Sequence, residues 1–92
     1  MITAFVHIVC KPEKLESLAE DISQINGVTE VYSITGDYDL LAIVRVSNID
    51  DLPNTVTNNI LKKDGILKAN TSVGFKVYSR HNLEAMFSIG LD

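Results

Sequence analysis

Residues 3–10 alternate with a period of two. Ala4, Val6, Ile8 and Cys10 fall on one side, and Phe5, His7 and Val9 on the other. That period belongs to a strand, and apolar residues on both sides predict a strand covered on both faces. The period then lengthens. Leu15, Leu18, Ala19, Ile22 and Ile25 recur at spacings of three and four, which sets them on one side of a helix over residues 12–25. Pro12 suits its first turn, Glu13 and Glu16 lie at the positive end of its dipole, and Asn26-Gly27 stops it. Alternation returns twice. In residues 28–35, Val28, Glu30, Tyr32 and Ile34 oppose Thr29, Val31, Ser33 and Thr35. In residues 40–46, Leu40, Ala42, Val44 and Val46 oppose Leu41, Ile43 and Arg45. Both stretches are rich in β-branched residues, as strands are. Arg45, on an apolar side, is expected to snorkel to a rim or to pair with an acid.

Ser47 to Asp51 is a polar break that offers several N-caps. A second helix is predicted over residues 51–62, with Pro53 early and a narrow stripe of Leu52, Val56 and Ile60. Lys62-Lys63 complement its negative end. Asp64-Gly65 turns the chain into the longest predicted strand, residues 66–78. There Leu67, Ala69, Thr71, Val73, Phe75 and Val77 oppose Lys68, Asn70, Ser72, Gly74 and Lys76. Gly74 marks a bulge or a close backbone approach. Asn82 is placed to cap a short last helix carrying Leu83, Met86 and Phe87.

The element order is β-α-β-β-α-β. It predicts a single α+β domain over residues 1–92, a ferredoxin-like βαββαβ sandwich with a four-stranded antiparallel sheet. Both helices then cover one face, and the other face is bare yet partly apolar. A second copy stacked on that face, a dimeric α/β-plait, is the expected way to cover it.

The corner between the second and third strands is the most informative stretch, Ile34-Thr35-Gly36-Asp37-Tyr38-Asp39-Leu40. Gly36 accepts positive φ, and Asp37 and Asp39 bond readily to nearby backbone N–H groups. The corner therefore lifts two carboxylates and a phenol to one end of the sheet, where they suit a binding loop. Thr71 and Ser72 add hydroxyls in the last strand. His7 sits among apolar residues with no nucleophile motif beside it and is read as structural.

Charge and chemistry narrow the choices. Eight Lys and Arg stand against 12 Asp and Glu, a net charge of −4. The basic residues are scattered, and only Lys62-Lys63 are adjacent, so direct nucleic-acid binding is not expected. The apolar opening lacks a basic leader and alternates like a strand, which argues against a signal peptide or membrane span. One cysteine, Cys10, forms neither an intrachain disulfide nor a metal cluster, and is expected in the core of a cytoplasmic protein. There is no phosphate loop, His pair, C-x-x-C or nucleophile elbow, so no cofactor, metal or catalytic residue is assigned.

The run Tyr32-x-Ile34-Thr35-Gly36-Asp37-Tyr38-Asp39-Leu40 resembles the signature turn of the effector-binding domain of Lrp/AsnC regulators, also called the RAM (regulation of amino-acid metabolism) domain and similar to ACT modules. Thr3 to Ile8 resembles that family's first strand, and Gly65 to Tyr78, with Thr71 and Ser72, its last. The resemblance implies an effector, an amino acid or similar small metabolite, bound at subunit interfaces by Gly36, Asp37, Tyr38, Asp39, Thr71 and Ser72. It also implies a homo-oligomer, a dimer that can build an octameric ring of dimers, and indirect control of transcription or amino-acid metabolism. Family regulators carry an N-terminal helix-turn-helix domain. Here the first strand starts at residue 3, so the expectation is a stand-alone effector-binding domain, able to associate with full-length regulators. The alternative from another class is a small dimeric, cofactor-independent monooxygenase-like enzyme, with His7 or Tyr32 facing a pocket between helices and sheet.

Overall fold

The computed structural model describes residues 1–80. His81 and the expected last helix (Asn82, Leu83, Met86 and Phe87) lie outside the described residues. Strands β1 (Ile2–Cys10), β2 (Val28–Ser33), β3 (Leu40–Val46) and β4 (Ile66–Val73) form one antiparallel sheet in the order β2-β3-β1-β4. This is the ferredoxin-like α+β arrangement that the element order predicts. A 3₁₀ turn at Pro12–Lys14 leads into α1 (Leu15–Ser23).

The second helix differs in kind. A 3₁₀ turn at Ile49–Asp51 precedes a π-helix at Pro53–Ile60. The Leu61 N–H donates to Val56 O, five residues back, at 2.8 Å. Leu52, Val56 and Ile60 are all buried on one side.

Helices cover one face of the sheet. Ala4, Val6, Ile8, Leu40, Ala42 and Val44 are fully buried there, packed with Leu18, Ile22, Val56 and Ile60. At about 25 cal/mol per Å² of buried apolar surface, this cluster is the main stabilising term. The other face carries Phe5, His7, Val9 and Leu41, all half-buried, and Ile43, which is buried at 6%.

Two bulges change the predicted pairing. Val28 faces Val44 and Glu30 faces Ile43, so Thr29 is an extra residue in β2. Val28 and Val31, three apart, therefore both pack on the core; strict alternation had put Val28 with Glu30 and Tyr32. The Thr29 hydroxyl holds the bulge, donating to Ile43 O at 3.3 Å and accepting from Arg45 at 2.7 Å. Arg45 also lies 3.7 Å from the Glu30 carboxylate, the acid pairing expected of it. In β4, Cys10 faces Ile66 and Val9 faces Lys68, so Leu67 is extra. Ile66 packs on the core in its place, and Leu67 is exposed. Strand β4 also ends at Val73, short of the predicted Tyr78. Val73 faces Ala4, and β1 begins at Ile2, so residues beyond Phe75 have no strand left to pair with. Gly74 itself makes the close approach. Its N–H donates to Thr3 O at 2.7 Å, and a Cβ there would stand 3.2 Å from that oxygen.

Candidate functional site

The corner after β2 is anchored by Asp39. Ile34 N–H donates to Asp39 O at 2.9 Å, and Asp39 N–H donates to Ile8 O at 2.8 Å. The Asp39 carboxylate accepts the Cys10 N–H at 2.9 Å. Asp39 thus closes the corner with one bond and ties it to β1 with two. Between these anchors the loop stands clear. Gly36 has φ 104°, a backbone that side chains rarely adopt, and a Cβ there would meet nothing within 4 Å. Asp37 is exposed beside it.

Tyr38 turns back onto the open face of the sheet. Its ring lies 5.2 Å from the His7 ring at 59°, and the Lys68 ammonium lies 5.7 Å from the centre of the phenol. In register, His7 faces Leu41 on β3 and Asn70 on β4. Side chains opposite one another share a face. Leu41, His7 and Asn70 therefore make a row across the open face, with Lys68 one row nearer the corner end of β1 and Tyr38 over His7.

Thr71 and Ser72 do not meet at this place. Thr71 faces Val6 and so lies on the helix side, while Ser72 faces Phe5 on the open side. Adjacent residues of a strand point to opposite faces, so within one subunit the two hydroxyls cannot share one carboxylate beside Gly36. Strand β1 also separates β4 from the corner. Gly36, Asp37, Tyr38 and Asp39 do come together. His7 and Lys68 join Tyr38 instead, with Asn70 opposite His7 in register, and sequence reasoning had left them out of the site. The signal for His7 was present as a polar ring in an apolar alternation, and alternation already put Lys68 on one side with Asn70 and Ser72; that this side lies beside His7 is set by strand pairing.

The electrostatics of the corner end are simple. Burial raises the Cys10 thiol above its usual range, and Asp39 and Glu13 push it further the same way. That keeps it a thiol and a poor nucleophile. On β2, Tyr32 O–H donates to the Glu30 carboxylate, which raises the phenol's pKa. Two surface cavities of about 470 and 560 Å³ lie near the Met1 end of the sheet, sharing Met1 and Arg45. Neither includes His7, Tyr32 or the Gly36 corner. His7 lies on the face away from the helices, so it does not line a pocket between helices and sheet, as the enzyme alternative requires.

The model for the Lrp/AsnC ligand binding domain matches residues 3–83. The chain belongs to this family. Among curated relatives it is similar to the HTH-type transcriptional regulator LysM of Sulfurisphaera tokodaii. The two are 33% identical over 78 residues, 84% of this chain and 55% of the regulator. The chain spans about half the length of the curated relatives it matches. Among solved structures it is similar to TTHA0845 of Thermus thermophilus, with a TM-score of 0.82 and 41% identity, covering 87% of this chain and all of that one. The transcriptional regulator NMB0573 of Neisseria meningitidis, crystallised as an L-Met complex, shares the fold at a TM-score of 0.76 and 18% identity, over 86% of this chain and 53% of that one. No helix among the described residues is long and apolar enough to cross a membrane.

Proposed function

We propose that this Lrp/AsnC domain is a non-enzymatic effector-binding module that takes an amino acid or similar small metabolite at the Gly36 corner. The family match over residues 3–83 carries the reading. The match to the whole of the Thermus chain supports treating these residues as a self-sufficient unit, and the Neisseria complex with L-Met supports an amino acid on this fold. Backbone N–H groups at Gly36 receive the effector's α-carboxylate. Asp37, whose carboxylate is exposed, accepts the α-ammonium in a charge-assisted bond. Asp39 holds the loop to β1, and Tyr38 packs on the effector. The half-buried open face is completed by a second copy, and Thr71 or Ser72 reaches the corner from a neighbouring subunit. Occupancy is then coupled to assembly by mass action, and through assembly to full-length regulators of transcription.

Calorimetric titration with each proteinogenic amino acid tests this. At least one binds the wild type, and Asp37→Ala weakens that binding by about tenfold or more, the loss of one charge-assisted bond. Asp39→Ala weakens it too, and also costs about 1–2 kcal/mol of stability through the lost Cys10 bond. Absence of heat with every amino acid would refute the reading. Light scattering checks the assembly: a monomer at all concentrations removes the interface.

A further inference from the structure

A second hollow lies on the helix side of the sheet, at the end away from the Gly36 corner. There the turn between α1 and β2, the end of β3 and the second helix surround the cavity of about 470 Å³, a volume that suits a small molecule. Thr55 lines it. This residue is only 6% exposed, yet its hydroxyl makes no hydrogen bond among the described residues. Gly27 leaves the room beside it: with φ 99°, a Cβ there would stand 3.1 Å from the Thr55 hydroxyl and 3.5 Å from Val46. The second helix is built for something besides its apolar stripe. Asn54, Thr55, Thr57, Asn58 and Asn59 are poor helix formers, and π-helices recur at functional sites. Asn54 and Asn59 line the cavity with Thr55, and the Asn59 amide donates to Asn54 O at 2.6 Å.

Charge narrows the ligand. Asp51 also lines the cavity, and its exposed carboxylate has no ion pair among the described residues. The basic side chain on the lining, Arg45, is already taken, by the Thr29 hydroxyl at 2.7 Å and the Glu30 carboxylate at 3.7 Å. Met1 stands at the mouth, 88% exposed. A carboxylate, a hydroxyl and side-chain amides are therefore available to a ligand, and an anion finds no uncommitted basic side chain.

We propose that this cavity binds a small organic amine that carries a second hydrogen-bonding group and no carboxylate, such as an amino alcohol or a short diamine. The site is separate from the Gly36 corner, and neither reading depends on the other. The ligand's ammonium donates to the Asp51 carboxylate in a charge-assisted bond. Its second group meets the Thr55 hydroxyl and the Asn54 amide, both of which donate and accept. Its methylene groups lie on Ile25 and Val46, which line the same cavity. An amino acid is disfavoured, because its carboxylate would sit near Asp51 with Arg45 engaged elsewhere.

Ethanolamine and putrescine, with glycerol and L-alanine for comparison, are titrated into ¹⁵N-labelled protein, and the amide shifts report both place and affinity. At least one amine saturates, moves the Gly27, Ser47 and Thr55 amides and leaves Gly36 unmoved. Read at Gly27, it binds about tenfold or more tightly than glycerol or alanine, the margin one charge-assisted bond supplies. Asp51→Asn erases that margin. Thr55→Val weakens amine binding about threefold or more while the thermal midpoint holds or rises, because valine keeps the shape and drops an unbonded hydroxyl. A purely structural threonine would lower the midpoint and leave amine binding intact. Failure of both amines to saturate, or binding indifferent to Asp51→Asn, overturns the inference. Shifts gathered at Gly36 instead of Gly27 overturn the placement. Each of these outcomes leaves the effector reading to its own titration with amino acids.

Discussion

The two faces of the sheet are built from the same strands and meet different fates. On one, Ala4, Val6, Ile8, Leu40, Ala42 and Val44 are sealed by helices of the same chain, at 0% exposure. On the other, Phe5, His7, Val9 and Leu41 are left half-buried, with Tyr38 and Lys68 gathered over His7. The turns at the corner end repeat the contrast. Gly65 has φ 100° and closes against the Lys14 side chain, where a Cβ would lie 3.0 Å from two carbons. Gly36 has φ 104° and stands in open space. One face and its turn are finished structure, and the other face and its turn wait for something outside the chain. The His7 Nδ1, without a hydrogen-bond partner among the described residues, lies on the unfinished side.

Substitutions can break or sharpen this contrast. The largest effect is expected at Ile8. Ile8→Ala removes a fully buried side chain and costs about 2–5 kcal/mol, whereas Leu41→Ala on the open face costs well under half of that in dilute protein. Denaturant titration of both variants checks it, and equal losses would dissolve the distinction between faces. Next come the two glycines. Gly65→Ala and Gly36→Ala share the strain of positive φ, about 1–2 kcal/mol. Only Gly65→Ala also crowds Lys14, which adds about 1 kcal/mol of overpacking. The same titration should rank Gly65→Ala as the more damaging.

A smaller effect is readable from pH. The folded protein holds the Cys10 proton more tightly than the unfolded chain does, because burial and two nearby carboxylates disfavour the thiolate. Its contribution is therefore fully present below the ordinary thiol value of 9.0 and is lost as pH rises through the higher folded value. Thermal midpoints of wild type and Cys10→Ala, compared from neutral to alkaline pH, should converge at the alkaline end. The least effect is expected at Tyr32→Phe. It removes a hydrogen bond between exposed groups, and stability should change by less than about 0.5 kcal/mol. A larger loss would mean that the open face is more finished than its exposure suggests.

Much of this was legible in the chain. Period two and period 3.6 report which side of an element is apolar, and turn residues report where an element ends. These are local properties, so the β-α-β-β-α-β order, the buried face of β1 and β3, the Leu52–Val56–Ile60 stripe and the Gly36 corner all stand in the sequence. Three things do not. The bulges at Thr29 and Leu67 shift register only when partner strands are paired, so the facing of Val28 and Ile66 is a property of the sheet. The end of β4 depends on where β1 begins. The distance of Thr71 and Ser72 from the corner, and the meeting of His7, Tyr38 and Lys68, follow from β1 lying between β3 and β4. Periodicity along one strand carries no information about the strand beside it. The sequence by itself determined which faces exist and what chemistry each strand holds; only the tertiary structure decided which chemistries become neighbours, because contacts between strands far apart in the chain are set by pairing order and register.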